Sequence, residues 1–410
     1  MRAGYAKRDI TPDRSMYMAG FDRRKDPATG TLDPIEVCVM AFEDDRKEPF
    51  LMLVFDLLGT DGALCVRIRD AVAAKLEIAP ERIWVSATHT HSAPTGHFAG
   101  GERFDEEYTA YLTRQAVSAA AEAMANMETV TPAEGLVHVT GVASLRNRGR
   151  EGSEFPMPVP MVFFENSKKS LILSRILCHP TILDERNLLY SRDLPGQLRD
   201  GVEQSILVLN GHCADLSTRF TRQGSNPEEL ARLGGLLTEA VRSAQPRQKP
   251  EFGRQIRAAE QVIYLSRAAS LSGELRDSIL TALRQKAAEC TDPQALREYD
   301  SRIVVLERSA AAAEKNRAIR IGAVNFGNYI LVGVPFEVDY ADGLELETTL
   351  SQIAGQQVHL VCYTFGYDGY LPSGAPLSAE SSYEDIASRY LPESRGQVWE
   401  CAKQCVMDVM

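Results

Sequence analysis

The feature that most constrains the fold is an alternation of strand-like and helix-like segments in the first third of the chain. Apolar runs at EVCVMAF (36–42), FLMLVFDLLG (50–59) and RIWVSAT (82–88) have the length and composition of buried strands. ALCVRIRDAVAAKL (63–76) and EEYTAYLTRQAVSAAAEAMANM (106–127) carry apolar residues at helical spacing. Because strands that alternate with helices are typical of α/β proteins, the sequence predicts mixed β-sheets flanked by α-helices.

The remainder of the chain continues this pattern, with one interruption. Further strands are predicted at EGLVHVTGVA, MVFFEN, SLILSRILCHP and SILVLNGHCADLS. Residues 270–316 instead combine dense charge with helical periodicity and predict an inserted helical hairpin. The α/β pattern then resumes around a predicted hairpin turn at FGN (326–328), and two helices are predicted from 383–391 and 395–410. No Pro/Gly/Ser linker divides the chain, so a single domain over 1–410 is predicted.

Composition and charge exclude several classes of protein. The net charge of −11, without any Lys/Arg block, argues against a nucleic-acid partner. The sequence has no apolar run of the length that a signal peptide or a transmembrane helix needs, which predicts a cytoplasmic protein. Eight cysteines without a Cys-x-x-Cys pair predict reduced, mostly buried thiols.

Histidines follow two of the predicted strands. His89 and His91 lie in SATHTHSAP and, in an extended segment, point to the same side of the chain. His179 follows another strand and precedes Pro180. Neutral imidazole is a common zinc ligand, so these side chains are candidates for a metal site. The alternative, that they only form hydrogen bonds in polar turns, stays open at this point.

Three further strand ends carry a serine, a carboxylate and tyrosines. LVLNGHCADLSTRF places His212, Asp215 and Ser217 in a loop, but without the Gly-x-Ser-x-Gly elbow of many serine hydrolases. Glu337 ends a buried strand, where a carboxylate needs a partner or a metal, although a helix N-terminus is an alternative environment. The GYDGY segment (366–370) brings two tyrosines out of the last strand.

These segments occur in an order that resembles the catalytic domain of neutral (non-lysosomal) ceramidases and their shorter bacterial relatives. The resemblance runs from residue 4 to about 390. It rests on AKRDITP, LDPIEVCVMAF, VFDLLG, SATHTHSAP, RNRGR, CHPTI, DLPG, GHCADLS, VPFEV and GYDGY. The combination of THTHS with a later His-Pro is its most specific part.

The resemblance implies a zinc enzyme and assigns roles to eight residues. The implied zinc ligands are His89, His179, Glu337 and Tyr370, a nitrogen and oxygen set that suits Zn²⁺. The implied catalytic residues are His91 beside the water or substrate oxygen, Arg148 at the oxyanion, Ser217 near the scissile group and Tyr390 as a second active-site tyrosine. Zinc would lower the pKa of bound water from about 15.7 toward 7 and so activate it for attack.

The function implied is zinc-dependent hydrolysis of an amide (N-acyl) bond. Ceramidases of this family often carry a signal peptide and a C-terminal immunoglobulin-like domain, and both are expected to be missing here. The motifs also depart from the family at Ala93, at Phe336 and at DLST. The predicted substrate is therefore a small-molecule or lipid-like N-acyl compound other than membrane ceramide.

Three alternatives remain open on the sequence. The chain could be a zinc-dependent esterase or lactonase, or a non-catalytic binding protein on the same fold. It could also be a metal-free hydrolase that uses Ser217 with His212 and Asp215, although His212 and Ser217 are close together in sequence.

Overall fold

In the part of the chain that the structure describes, the strands form three larger sheets and two short pairs. A computed structural model describes residues 1–99, 101–146, 154–166, 170–248, 252–266, 273–308 and 316–410. Its strands are β1 (Arg2–Asp9), β2 (Gly30–Thr31), β3 (Glu36–Glu43), β4 (Pro49–Phe55), β5 (Ile83–Ala87), β6 (Glu128–Thr129), β7 (Thr131–Val139), β8 (Ser144–Leu145), β9 (Met157–Glu165), β10 (Ser170–Ile176), β11 (Leu189–Tyr190), β12 (Ser205–Asn210), β13 (Leu216–Ser217), β14 (Arg247–Gln248), β15 (Arg257–Ser266), β16 (Asn316–Asn325), β17 (Tyr329–Gly333) and β18 (Gln357–Val361).

Helices flank the sheets and connect their strands. They are α1 (Gly62–Leu76), α2 (Glu106–Ala125), α3 (Asp193–Gly201), α4 (Pro227–Arg242), α5 (Gly273–Glu289), α6 (Pro293–Arg308), α7 (Tyr340–Ala354), α8 (Tyr383–Ala387) and α9 (Ser394–Val409), with a 3₁₀ turn at Pro80–Arg82. Several begin at a side-chain cap: Asp61 accepts from the backbone N–H of Leu64 at the start of α1.

Each larger sheet is mixed. The strand orders are β5-β4-β3-β1-β6, β12-β10-β9-β7-β14 and β15-β16-β17-β18. Each sheet has one parallel pair, β4 with β5, β10 with β12, and β17 with β18, and its other pairings are antiparallel. A helix lies between the two strands of each parallel pair, as such crossovers require: α1, α3 and α7 respectively. The predicted fold class is confirmed.

The central strands are buried on both faces. In β3, Val37 and Val39 belong to a cluster with side chains of α1 and α2. Cys38 and Met40 point the other way, into a cluster shared by the three sheets and rich in aromatic rings. Because helices cover one face and other sheets cover the second, these strands are continuous apolar runs, which is why the sequence identifies them.

Among the longer elements, the strands β1 and β15, the helix α3 and part of one further helix differ from the sequence expectation; α3 contains a proline and two glycines, which mask its helical pattern. β1 and β15 were not predicted, because both carry charged residues and β15 is an edge strand on which Val262 and Tyr264 are exposed. The helix expected over 383–391 ends at Ala387. There the Ser388 hydroxyl donates to the carbonyl of Tyr370 (2.9 Å) and draws the chain toward the site described below.

Residues 273–308 contain the two helices expected in the charged region. α5 and α6 lie between β15 and β16, which pair antiparallel with each other. A small apolar cluster that includes Leu283, Leu306 and Ile386 joins this hairpin to α8. The hairpin also forms ion pairs with the segments around the site, including Arg219 with Glu298 (3.3 Å). The FGN turn joins β16 to β17 as predicted.

The eight cysteines all carry free thiols. Among the described residues, no helix is both long enough and apolar enough to cross a membrane.

Candidate metal centre

The candidate site lies where the carboxyl ends of the parallel strands from three sheets meet. His89 follows β5, His179 follows β10 and Glu337 follows β17. An isolated bridge between Ser86 and Thr364 joins the end of β5 to the loop after β18. Open α/β sheets bind ligands at the carboxyl ends of their strands, and here three such ends face one point.

His89 is held by its backbone and by its ring. Its φ of 70° is left-handed, a conformation that is uncommon outside glycine. Its backbone N–H donates to the carbonyl of Leu57 (3.0 Å), and Nδ1 lies 2.7 Å from the carbonyl of Leu58. The ring stacks on Tyr363 with 4.1 Å between centroids. Because a carbonyl only accepts, Nδ1 carries the proton and Nε2 faces the site with its lone pair.

His179 has the same arrangement in the second sheet. Its Nδ1 lies 2.7 Å from the carbonyl of Cys213, and its backbone N–H donates to the carbonyl of Leu216 (2.9 Å). Burial lowers the pKa of His179, although the bond to Glu337 opposes this, so the ring is neutral near pH 7. Its Nε2 therefore also faces the site as an acceptor.

Glu337 brings its carboxylate against both imidazoles. Its Oε2 lies 3.0 Å from Nε2 of His179 and 3.3 Å from Nε2 of His89, and all three side chains are buried. Its Oε1 accepts a hydrogen bond from the hydroxyl of Tyr367 (2.6 Å). Burial alone would raise the pKa of Glu337, but a positive charge or an N–H at the His89 and His179 nitrogens holds it well below its usual value, so the carboxylate is ionised when a proton or a cation lies between these atoms.

His91 completes a group of three imidazoles. Ring nitrogens of His89, His91 and His179 all lie within 4.8 Å of one another, and Nε2 of His91 is 3.3 Å from Nε2 of His89. Burial first, and then the neighbouring His89 and His179 rings, hold the pKa of His91 well below its usual value. Its Nδ1 is buried and has no hydrogen-bond partner among the described residues.

This set of donors fits a divalent cation. Neutral His179 and ionised Glu337 place two acceptor atoms 3.0 Å apart, and Nε2 of His89 adds a third at 3.3 Å. Acceptors at such distances repel one another unless a proton or a cation lies between them. The Nδ1–H bonds to backbone carbonyls fix both tautomers, as they do in many metal-binding histidines. Nitrogen and carboxylate donors suit zinc in particular.

Two tyrosines of the GYDGY segment approach this centre in different ways. Tyr367 donates to Glu337, and its ring centroid is 5.7 Å from that of His89. Tyr370 forms a backbone bridge with Glu337, and its hydroxyl lies 3.5 Å from Nη2 of Arg146. The phenol that the structure brings into direct contact with a predicted metal ligand is thus Tyr367, while the sequence resemblance points to Tyr370.

The basic segment RNRGR reaches the site through its first residue. Arg146 pairs with Glu384 (Nε to Oε1 2.9 Å), and both are largely buried. Its guanidinium also lies over the Tyr383 ring, 5.9 Å from the centroid. Arg148, the residue expected at the oxyanion, lies outside the described residues. No pattern in the sequence singles out Glu384, and the resemblance assigns a role to Arg148 rather than to Arg146 of the same motif.

Ser217 and Tyr390 lie on two sides of this centre. Ser217 is buried, forms a backbone bridge with His179, and accepts a hydrogen bond from the backbone N–H of Arg219 through its Oγ (3.3 Å). Tyr390 donates to Oδ1 of Asp368 (2.9 Å) and packs edge-on against Phe336 beside Glu337.

The metal-free serine triad does not assemble. Nδ1 of His212 lies 3.4 Å from the carboxylate of Glu347, and its ring stacks on Tyr340. Oδ1 of Asp215 accepts the backbone N–H of Tyr340 (2.8 Å). Both side chains are thus engaged with α7, and neither forms a hydrogen bond with Ser217.

Comparison with known proteins supports the fold. No protein-family model matches the sequence, and no curated protein matches it. A crystal structure of neutral ceramidase from Pseudomonas aeruginosa is similar, with a TM-score of 0.78 and 18% identity over 99% of this chain and 74% of that one. A structure described as ceramidase complexed with C2 gives a TM-score of 0.76 and 17% identity over the same shares. The chain therefore has the neutral ceramidase fold that its sequence motifs predicted.

Proposed function

We propose that this protein is a zinc-dependent hydrolase that cleaves the amide bond of an N-acyl substrate. The observation that carries the proposal is the contact of the buried Glu337 carboxylate with Nε2 of His89 and of His179, whose Nδ1 atoms both face backbone carbonyls. These three side chains, with Tyr370 as the fourth ligand implied by the motif, would hold the ion. When bound, zinc would polarise the scissile carbonyl and acidify water.

His91 is proposed as the proton carrier rather than as a ligand. Although its ring lies within the same cluster, it is the one of the three imidazoles that is partly exposed, and its Nδ1 has no partner in the part of the chain that the structure describes. A neutral imidazole beside the reaction centre can accept the proton of the attacking water and return it to the leaving nitrogen. Such a step contributes about 10² to 10⁴ in rate.

The other predicted catalytic residues have supporting roles in this proposal. Arg148 would stabilise the oxyanion, because the charge of Arg146 is already paired with Glu384. Ser217, beside His179, would form a hydrogen bond with the substrate near the scissile bond. Tyr390 would act by holding Asp368 through its hydroxyl group rather than by contacting the substrate.

A substrate smaller or more polar than membrane ceramide is proposed from the surroundings of the site. Glu298 of the charged hairpin forms an ion pair with Arg219, two residues from Ser217. Lys286 of the same hairpin contacts Glu380, close to Tyr383. A rim built from ion pairs favours a water-dissolved N-acyl compound over one drawn from a bilayer.

The test combines metal content with a substrate panel. Wild type, His89→Ala and, as a matched control, His138→Ala on β7 are compared by elemental analysis. We expect about one zinc per chain in wild type and in the control, and loss of zinc in His89→Ala. Activity is then measured on N-acyl, ester and lactone substrates before and after dialysis against a chelator. Undiminished activity after chelation, or zinc retained in His89→Ala, would exclude the proposal.

The panel also separates the alternatives. Faster turnover of esters or lactones than of amides would indicate an esterase or lactonase with the same centre. Zinc binding without turnover of any substrate would indicate a binding protein.

A further inference from the structure

A segment near the N-terminus lies along the loop that carries His89 and His91. This segment is MAGFDRR, residues 18–24. Met18 pairs with Pro94 in an isolated bridge, and the backbone N–H of Ala19 donates to the carbonyl of Ala93 (2.9 Å). The two stretches of chain are therefore in register, and the side chains of the segment reach the exposed side of His91.

The segment fixes the His91 ring by close packing. Gly20 has a φ of +99°, and a Cβ placed on it would lie 2.4 Å from Nδ1 of His91. The ring of Phe21 is tilted against that of His91, with 4.9 Å between centroids. Only glycine meets both the backbone conformation and the approach at position 20, so this contact determines how far the imidazole can swing away from His89.

Arg24 fixes the backbone of the same residue. Its Nη1 donates to the carbonyl of His91 (2.7 Å) and to that of Ala19 (3.2 Å). Its Nη2 donates to the carbonyl of Asp184 (3.2 Å), five residues after His179. One guanidinium thus links three chain segments, two of which carry histidines of the metal centre.

The environment of Arg24 is unusual for a buried cation. It is 7% exposed, and among the described residues its guanidinium forms no ion pair within 4.0 Å, while Nε is buried without a partner. Burial lowers the pKa of Arg24 to about 10, which leaves it charged at neutral pH. The guanidinium also lies over the ring of Phe21, 4.9 Å from its centroid, and Phe21 itself packs against His91. The contacts of Arg24 thus fall on the chain segments that surround His91.

We infer that Arg24 is a positioning residue that holds His91 in place beside the metal centre, and that Gly20 packs against the imidazole ring and limits its movement. This inference rests on the proposed function, because it takes His91 to be the proton carrier. Displacing a catalytic group by about 1 Å can cost on the order of 10² in rate. We expect the loss to fall on turnover, since the hydrogen bonds of Arg24 and the packing of Gly20 are with His91, Ala19 and Asp184 and not with the proposed metal ligands.

The test uses Arg24→Ala and Gly20→Ala, with Arg23→Ala as the matched control because Arg23 is exposed. We expect kcat to fall about 10- to 100-fold in both variants, with KM within about twofold and zinc content unchanged. Arg23→Ala should match wild type. Added guanidinium should restore part of the turnover of Arg24→Ala, whereas Arg24→Lys should stay impaired, because one ammonium cannot reach three carbonyls.

A readout without turnover keeps the inference separate from the proposed function. In protein labelled with ¹⁵N-histidine, the His91 signal is assigned by its loss in His91→Gln. We expect this signal to shift or broaden in Arg24→Ala but not in Arg23→Ala, whether or not the protein hydrolyses any substrate. An unmoved His91 signal, or zinc lost together with activity in Arg24→Ala, would overturn the inference. If the signal moves while wild type has neither zinc nor activity, the proposed function fails and the positioning role stands.

Discussion

Two loops meet at the candidate metal centre, and they are supported in different ways. The first, residues 88–94, follows β5 and carries His89 and His91. The second, residues 362–371, follows β18 and carries the tyrosines. Both contain residues with positive φ other than glycine, and the two are joined directly: the backbone N–H of Ala87 donates to the carbonyl of Tyr363 (3.1 Å).

The first loop is anchored in a buried network of charges. Oγ1 of Thr88 donates to Asp56 (3.2 Å), which is fully buried and contacts Arg199. The hydroxyl of Thr90 donates to the carbonyl of Ser191 (2.8 Å). Two of the sequence motifs contribute to this network: VFDLLG supplies Asp56, and DLPG begins α3, the helix that carries Arg199. Ser191 stands two residues before DLPG.

The second loop is held by backbone hydrogen bonds to β5 and to the segment after β17, and its side chains add bonds that involve two carboxylates. Tyr367 donates to Glu337, and Tyr390 donates to Asp368, which also pairs with Arg317 (3.1 Å). The two loops thus differ in their side-chain supports: the first is anchored by the buried Asp56–Arg199 pair, whereas the phenol of Tyr367 in the second has one hydrogen bond, to Glu337. The predictions that follow test this difference.

The largest effect is expected at Glu337, the residue that side chains of both loops contact. Glu337→Gln removes the charge that both imidazoles and Tyr367 contact, so zinc binding and activity should be lost together. Mutating a residue that only supports a metal ligand lowers metal affinity or activity about 10- to 100-fold. Because Glu337 is proposed as a ligand itself, we expect a loss in kcat/KM of at least about 10³-fold. Elemental analysis and kinetics check this against Glu81→Gln, an exposed control. Full zinc content in Glu337→Gln would contradict it.

The second-largest effect is on the free energy of unfolding and tests how the first loop is anchored. Arg199→Met leaves Asp56 buried without its cation, and breaking such a pair costs about 3–5 kcal/mol in the free energy of unfolding. Lys403→Met is the control, because its pair with Glu400 on α9 is exposed and is worth at most about 1 kcal/mol. Urea unfolding measures both. Equal losses in the two variants would mean that the buried network does not anchor the first loop.

The two loops also differ in how much of their structure could be predicted from the sequence. His89 and His91 stand out because imidazoles are few and follow a strongly apolar strand. Asp56, Arg192 and Arg199 gave no signal, since their pairing depends on contacts between segments more than a hundred residues apart. The α/β class followed from strands buried on both faces, whereas the partly exposed edge strand β15 could not be recognised from periodicity.

The tyrosines show the limit of the sequence most clearly. Tyr367 and Tyr370 stand three residues apart in one glycine-containing loop, and either phenol has the right chemistry for a zinc ligand. Which one points at the centre depends on the backbone of that loop, where Tyr363 and Phe365 have positive φ. Residue pattern does not encode such a turn, because neither residue is glycine or asparagine.

A smaller effect distinguishes the two phenols. Tyr367→Phe removes the donor to Glu337 and should weaken zinc binding about 10- to 100-fold. If Tyr370 is a ligand, Tyr370→Phe should weaken it further than that. Zinc affinity is measured for both variants by competition with a chelator of known strength. A greater loss in Tyr367→Phe would assign the ligand to Tyr367.

The smallest effect depends on pH and concerns the contacts of Gly59 with His97 and with Tyr367 of the second loop. Nε2 of His97 donates to the carbonyl of Gly59 (2.6 Å), and a Cβ on Gly59 would lie 2.4 Å from Tyr367. Burial lowers the pKa of His97 to about 4. As pH falls from about 6.5 to 4, the unfolded chain therefore binds a proton that the folded chain does not, and the free energy of unfolding decreases. Between pH 7 and roughly pH 4.5 this amounts to about 2 kcal/mol. We expect His97→Gln to remove that part of the decrease, measured by urea unfolding at both pH values. A decrease as large as that of the wild type would show that His97 is not the group through which acid weakens the fold.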